Sequence, residues 1–133
     1  MLVADSSVWI DFFGGKTTRT TDRLDSALGA NTVLLIDVIV TEVLQGVRDD
    51  RQFTQLVRLF DKLPLLQTGG FPIAIEAASN YRRLRLLGMT VRKTIDTLIA
   101  TNCIAARLPL LYDDRDFDPF VEHLGLVSAM ETV

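Results

Sequence analysis

The chain has 133 residues, 48% of them hydrophobic, and a formal net charge of −3. This size fits one compact domain with ample material for one core. The small acidic excess argues against a protein that coats nucleic acid through bulk charge, although it permits a local basic patch.

Three common classes of protein are disfavoured by what the chain lacks. No stretch approaches the roughly 20 apolar residues that span a bilayer, and the N-terminus has no basic region before an apolar run, so we expect a cytoplasmic protein. The single cysteine, Cys103, rules out an internal disulfide and is expected to be a buried helix residue. The single histidine, His123, leaves almost nothing for zinc sites or histidine-based triads, so the chemistry must depend on carboxylates.

Short apolar runs alternate with segments of helical periodicity along the chain. The apolar runs predict strands at 2–4, 33–36, 63–66 and 109–112, and a final short one at 124–127. The periodic segments predict helices at about 20–29, 38–48, 51–61, 72–88 and 94–107. Strands separated by helices favour right-handed crossovers and a mainly parallel sheet, so the predicted fold class is α/β.

Carboxylates follow these predicted strands or begin the next helices. Asp5 directly follows the first strand, and several aspartates crowd the stretch 113–116 after the fourth. Glu42 lies early in the helix after the second strand, and Asp96 lies in the first turn of a helix that Thr94 can cap. Because ligands bind outside the carboxyl ends of parallel strands, we expect these acids to meet at one edge of the sheet.

Clustered carboxylates raise one another's pKa values unless a cation compensates their charge. Oxygen ligands without cysteine or histidine select a hard ion such as Mg²⁺ or Mn²⁺, which can activate water and stabilise a phosphodiester under in-line attack. Taken singly, each acid has a simpler explanation. Asp5 can cap a helix, Glu42 can be solvated, and 113–118 can be an exposed acidic turn.

Four segments carry a family resemblance: "LVADSSVWIDF" at the N-terminus, "TEVLQG" at 41–46, "TIDTLIA" at 94–100 and "DDRDF" at 113–117. In this order and spacing they resemble the four acidic motifs of the PIN-domain ribonucleases, and more narrowly those of the VapC toxins of VapBC toxin–antitoxin modules. The resemblance covers nearly the whole chain. It implies a single PIN domain over 1–133, a three-layer sandwich with a mainly parallel central sheet of about five strands flanked by helices.

The resemblance also implies the site. Asp5, Asp96 and Asp114 match acids that bind the metal, and Glu42 matches a further ligand or a base that orients water. Asp116 matches another acid of the fourth motif, which helps to bind a second ion or acts through water.

Other residues beside these motifs match less directly. Ser6 and Ser7 match a hydroxyl-bearing pair that supports the first acid. Tyr112 departs from the pattern, because a small hydroxyl residue is frequent there, and Asp113 is expected to be solvated.

The activity implied by the resemblance is Mg²⁺- or Mn²⁺-dependent cleavage of RNA, with tRNA or rRNA as the expected substrate. The implied biology is growth arrest, neutralisation by a VapB-type antitoxin, and a homodimer that joins the antitoxin in a hetero-oligomer. Arg92 and Lys93 immediately precede the Asp96 motif and are expected to hold RNA phosphates. Two alternatives stay open: a catalytically inactive PIN-like RNA-binding module and a receiver-like phosphotransfer domain, although "LPLLQTGG" offers no phosphoacceptor aspartate after the third strand.

Overall fold

A computed structural model describes residues 1–131 and has an α/β architecture. The strands are β1 (Val3–Ala4), β2 (Leu35–Ile36), β3 (Leu65–Leu66) and β4 (Leu110–Leu111). The helices are α1 (Ser6–Phe13), α2 (Arg19–Gly29), α3 (Asp37–Gln45), α4 (Asp50–Asp61), α5 (Gly70–Leu86), α6 (Thr94–Ala106) and α7 (Asp118–Leu124), with a short 3₁₀ helix at Arg115–Phe117.

The strands form one run of parallel pairings. β4 pairs with β1, and β2 pairs with β3. A single bridge between Leu2 and Val33 joins the two pairs, and another joins Leu110 to Ser128. The order across the molecule is therefore Ser128, β4, β1, β2, β3, which agrees with the predicted parallel sheet of about five strands. β2 and β3 lie on one side of β1, and β4 lies on its other side, so the strand order reverses between β1 and β4. Open α/β sheets bind ligands at such a switch point.

The core lies between this sheet and its helices. Its largest fully buried side chains include Trp9, Phe117 and Phe120, and the strand residues Val3, Leu35 and Leu110 are also buried. Trp9 stacks on Phe13 and meets Phe60 edge-on. Cys103 is fully buried on α6, as expected, and burial raises the pKa of its thiol to about 12.

The predicted elements differ from the structure in three ways. The five predicted helices are present with ends shifted by up to three residues, but α1 and α7 were not predicted. Each strand has only two residues, and the predicted strand 124–127 does not form: Leu124 ends α7, and a single bridge occurs at Ser128, one residue beyond that range. Thr94 does not cap α6: the helix begins at Thr94, and Lys93 occupies the cap position without a side-chain hydrogen bond.

Among the described residues, no helix combines the length and the hydropathy that crossing a membrane would require.

Candidate active site

Five predicted acids lie at the carboxyl edge of the sheet, and we call them the acidic cluster: Asp5, Glu42, Asp96, Asp114 and Asp116. Asp5 directly follows β1, and Asp114 follows β4, the neighbouring strand at the reversal point. α3 carries Glu42, and the first turn of α6 carries Asp96. The charges of Asp5, Glu42 and Asp114 each raise the pKa of Asp96, so the four segments do bring their carboxylates together.

Asp5 is buried at the start of α1, with 4% of its surface exposed. The Ser7 hydroxyl donates a hydrogen bond to its Oδ2 at 2.8 Å. Burial raises the pKa of Asp5, and the Ser7 hydroxyl and the amides of Ser6 and Ser7 only partly offset this effect. Ser7 thus supports the first acid as the motif implies.

Asp96 is equally buried, and its Oδ2 has no hydrogen-bond partner within residues 1–131. Burial is the main cause that raises its pKa to about 6, and the charge of Asp5 is the second. Lys93 acts in the opposite direction. A buried carboxylate that lacks partners and faces other acids is unfavourable unless a cation approaches it.

Glu42 is half-buried on α3, and its Oε1 also lacks a hydrogen-bond partner among the described residues. Burial and then the charge of Asp5 raise its pKa, while the Ser6 hydroxyl and Lys93 lower it. The hydroxyls of the two serines therefore act on different acids, that of Ser6 on Glu42 and that of Ser7 on Asp5.

Asp114 and Asp116 are tied to each other and to a basic residue. The Asp116 amide donates to Oδ1 of Asp114 at 2.9 Å, which starts the 3₁₀ helix. Nη2 of Arg92 donates to both carboxylate oxygens of Asp116, at 3.1 and 3.2 Å. Arg92 and Lys93, predicted to hold RNA phosphates, are exposed residues beside the acids.

A divalent cation fits the donors of this cluster. Carboxylate oxygens of Asp96, Asp114 and Asp116 lie within 4.8 Å of one another, and all of the nearby donors are oxygen atoms. The unpartnered Oδ2 of Asp96 and its raised pKa indicate a site that lacks positive charge. The sequence had grouped Asp5 with Asp96 and Asp114 as metal ligands. In the structure the three acids whose oxygens lie closest together are Asp96, Asp114 and Asp116. Asp5 lies beside this group, where the charge of Asp114 acts on it.

The side chains of the two residues before Asp114 bond to groups outside the acidic cluster. The Tyr112 hydroxyl donates to Oδ1 of Asp118 at 3.0 Å, and burial followed by this contact raises its pKa to about 12. Asp113 is exposed, as expected of a solvated acid, but its Oδ2 accepts a hydrogen bond from the Thr20 hydroxyl at 2.6 Å.

One acid at this edge was overlooked in the sequence. Asp37 directly follows β2, just as Asp5 follows β1, and this position was the signal available for finding it. Its Oδ1 accepts hydrogen bonds from the Val38 amide at 2.9 Å, from the Thr68 amide at 3.0 Å and from the Thr68 hydroxyl. Asp37 therefore joins the ends of β2 and β3 instead of entering the acidic cluster.

Comparison with known proteins places the chain in a family. A model of the PIN domain matches residues 2–121. The VapC ribonuclease Mb1587 of Mycobacterium bovis is 33% identical over 132 residues, covering 97% of this chain and 98% of that protein. Ribonuclease VapC11 of Mycobacterium tuberculosis gives the same figures. The chain belongs to the VapC ribonucleases of the PIN-domain family.

Two solved structures show the same PIN fold. One is the VapBC2 complex of Rickettsia felis bound to a DNA fragment from its promoter, with a TM-score of 0.75, 14% identity and 96% of both chains covered. The other is a toxin–antitoxin complex from Klebsiella pneumoniae, with a TM-score of 0.69, 18% identity, and 96% of this chain and 97% of that chain covered. At these identities the likeness concerns the fold.

Proposed function

We propose that this PIN domain is a Mg²⁺- or Mn²⁺-dependent ribonuclease that acts as the toxin of a toxin–antitoxin pair. The observation that carries the proposal is the meeting of carboxylates from four separate segments around Asp96, whose buried Oδ2 lacks a partner within residues 1–131. Such an arrangement costs stability without a cation and gains from one. Kinship with proteins named VapC ribonucleases supplies the substrate class.

In this proposal Asp96 and Asp114 hold the ion, with Asp5 and Asp116 completing its surroundings. The ion, when bound, supplies an activated water and stabilises charge on the phosphodiester. Glu42 orients the attacking water and accepts its proton at Oε1, an atom that its own chain leaves free of hydrogen bonds among the described residues. Burial and the charge of Asp5 raise the pKa of Glu42, which makes its carboxylate a better proton acceptor than a fully solvated glutamate.

Arg92 and Lys93 are proposed to hold the phosphates of the RNA near the scissile bond. Both are exposed, and the charge of Lys93 lowers the pKa values of Glu42 and Asp96, which supports a role for Lys93 beside these acids. Arg92 contacts Asp116 at the rim through Nη2 alone, so it is available to exchange this carboxylate for a phosphate, which a guanidinium can bind through two nitrogens.

The test is RNA cleavage by the purified chain. We expect cleavage of a structured RNA with Mg²⁺ or Mn²⁺, none with a chelator, and none by Asp96→Asn. Asp25→Asn removes a charge from the exposed face of α2 and serves as the matched control. Cleavage by Asp96→Asn at a rate near that of the parent would refute the proposed site. A parent that binds RNA without cutting it would favour an inactive RNA-binding PIN module.

The proposed partner is a VapB-type antitoxin, and the proposed target is tRNA or rRNA. Expression of the chain alone should arrest growth, and co-expression of its antitoxin or the Asp96→Asn change should restore it. Mapping new RNA ends after brief induction identifies the target. Continued growth despite production of folded protein would contradict the toxin assignment.

A homodimer is proposed because α5 and the turn after it expose apolar side chains to an unusual degree. Phe71 is 77% exposed, Ile75 54% and Leu86 87%. Exposed apolar surface of this kind marks interfaces. Light scattering coupled to gel filtration should give twice the chain mass for the parent, and Phe71→Ser should shift the mass toward that of a monomer. A monomeric parent at micromolar concentration would reject the dimer.

A further inference from the structure

Thr20 makes a contact with the acidic loop that no sequence motif indicated. It is the second residue of α2, has 4% of its surface exposed, and donates from its hydroxyl to Oδ2 of Asp113 at 2.6 Å. The two residues are 93 positions apart in the chain. A hydrogen bond to a carboxylate is about twice as strong as a neutral one, and this bond ties α2 to the segment that carries Asp114.

The protons around Thr20 can be assigned from the donor inventory. An ionised carboxylate only accepts, so the Thr20 hydroxyl must give its proton to Asp113. The Thr18 hydroxyl, which has one proton, can then donate either to the Thr20 oxygen at 2.9 Å or to the Thr21 hydroxyl at 3.3 Å. The Thr18 oxygen in turn accepts from the Thr21 amide at 3.1 Å. These contacts connect the first turn of α2 to Asp113 through the Thr20 hydroxyl.

Asp113 and Asp114 share a peptide unit, and each of the two side chains is fixed by its own contact. Asp113 is held by Thr20, and Asp114 accepts from the Asp116 amide. Tyr112, on the other side of Asp113, sends its hydroxyl to Asp118 and gives no support to the acids. Among the described residues, Thr20 is therefore the side chain from outside this loop that holds Asp113.

We infer that Thr20 is a positioning residue of the active site. By holding Asp113 against α2 it fixes the direction in which Asp114 presents its carboxylate to Asp96 and Asp116, and it keeps the Asp113 charge out of the acidic cluster. This inference rests on the proposed function, because it deepens the account of the same metal-binding acids. It assigns no contact between Thr20 and the substrate or the ion.

The experiment compares Thr20→Val, which keeps the branched shape and loses the hydroxyl, with Thr20→Ser, which keeps the hydroxyl. Thr32→Val is the matched control, since the Thr32 hydroxyl bonds the Ala27 carbonyl at 3.2 Å at the opposite edge of the sheet. Three quantities are measured on the full chain: kcat and KM on an oligoribonucleotide, and the Mn²⁺ concentration that gives half of the metal-induced rise in Tm.

We expect Thr20→Val to lower kcat about tenfold or more, because small misplacements of reacting groups are costly. Its Mn²⁺ midpoint should rise, and its KM for RNA should stay within about twofold of the parent value, as expected when positioning rather than substrate binding is lost. Thr20→Ser and Thr32→Val should stay near the parent in all three measurements. A Thr20→Val protein that matches Thr32→Val overturns the inference.

Asp113→Ala breaks the same contact from the loop side if Thr20→Val folds poorly. It should reproduce the loss of kcat and the higher Mn²⁺ midpoint, and the double variant should add little, because the two changes remove one interaction. Parent-like behaviour of Asp113→Ala overturns the inference. If the parent cuts no RNA, the proposed function fails, whereas the Mn²⁺ midpoints still decide the role of Thr20.

Discussion

Individual residues of the acidic cluster are poorly satisfied by their own chain. Asp96 and Glu42 each bury a carboxylate oxygen with no hydrogen-bond partner within residues 1–131. Protein interiors normally pair such atoms, and exceptions concentrate at functional sites. Asp5, by contrast, is supported by the Ser7 hydroxyl. The site therefore combines one acid that a side-chain hydroxyl supports, Asp5, with two that each have a buried oxygen without a hydrogen-bond partner among the described residues.

The raised pKa of Asp96 makes a prediction about pH and stability without metal. The folded state holds the proton of Asp96 up to a pH of about 6, whereas the unfolded chain releases it near 3.8. The parent therefore loses stability as pH rises between these values, and the full cost is present above about 6. Asp96→Asn has no such cost.

Thermal unfolding in a chelator at pH about 5 and about 8 checks this prediction. Asp96→Asn should exceed the parent in Tm by more at the higher pH, and Asp25→Asn controls for the loss of one negative charge. A Tm difference that is the same at both pH values would show that Asp96 does not titrate in this range.

Arg92 gives the second prediction at this scale. Its guanidinium contacts both oxygens of Asp116, whose carboxylate also lies in the close group with Asp96 and Asp114. Arg92→Ala should therefore lower the Mn²⁺ midpoint, because it frees an acidic ligand, and should also weaken RNA binding with a shallower salt dependence. Arg58→Ala, on the exposed side of α4, is the control. An unchanged Mn²⁺ midpoint and an unchanged salt dependence of RNA binding would show that Arg92 contributes to neither metal nor RNA binding.

At the scale of elements, the sequence predicted the order of strands and helices well, because buried apolar runs and helical periodicity are local signals. It missed α1 and α7, which have only 8 and 7 residues, too few to show periodicity. It also overestimated the strands, since an apolar run continues beyond the two residues that form each ladder. The ends of a strand depend on where its partner strand pairs with it, and that partner lies far away in the sequence. The local sequence therefore did not define the strand ends.

The candidate site was also predictable only in part. Parallel strands bring their carboxyl ends together, so the meeting of Asp5, Asp96 and Asp114 followed from topology. The contacts of Arg92 with Asp116 and of Thr20 with Asp113 did not, because each joins segments far apart in the chain. A threonine near the start of a helix, such as Thr20, is usually interpreted as an N-cap, and this interpretation does not predict a contact with a distant segment.

Asp37 gives a prediction about how the strands are joined. Burial opposes its charge, but the Thr68 hydroxyl and amide and the Val38 amide outweigh burial and lower its pKa below 3.8. The ionised form therefore stabilises the fold above that pH, and this contribution disappears as pH falls through the folded value. Asp37→Ala should lower the free energy of unfolding by about 1–3 kcal/mol near neutral pH.

Urea unfolding measures this loss, with Asp25→Ala as the control for an exposed acid. The deficit of Asp37→Ala should shrink at acid pH, and its Mn²⁺-induced rise in Tm should equal that of the parent. Loss of the Mn²⁺ response in a folded Asp37→Ala protein would instead make Asp37 part of the metal site.

At the scale of the whole molecule, charge is distributed unevenly. The acidic excess of the chain is small, yet carboxylates from the end of β1, from α3, from α6 and from the loop after β4 share one edge of the sheet. Arg92 and Lys93 supply opposing charge beside them. A cluster so placed attracts cations of any origin, whether an ion or the side chain of a partner.

The last prediction concerns the proposed antitoxin. A guanidinium can pair with a carboxylate through two parallel hydrogen bonds, and Arg92 already contacts both oxygens of Asp116 through Nη2. We therefore expect an antitoxin segment to insert an arginine or a lysine among Asp5, Glu42, Asp96 and Asp114 and to compete with the metal. Apparent antitoxin affinity should then fall as Mg²⁺ rises, by more than in an inert salt at equal ionic strength. The same titration with toxin Asp96→Asn, which weakens the metal site, should show a smaller Mg²⁺ effect. Equal losses of affinity in Mg²⁺ and in the inert salt would instead indicate that the antitoxin blocks the site by covering it, without displacing the ion.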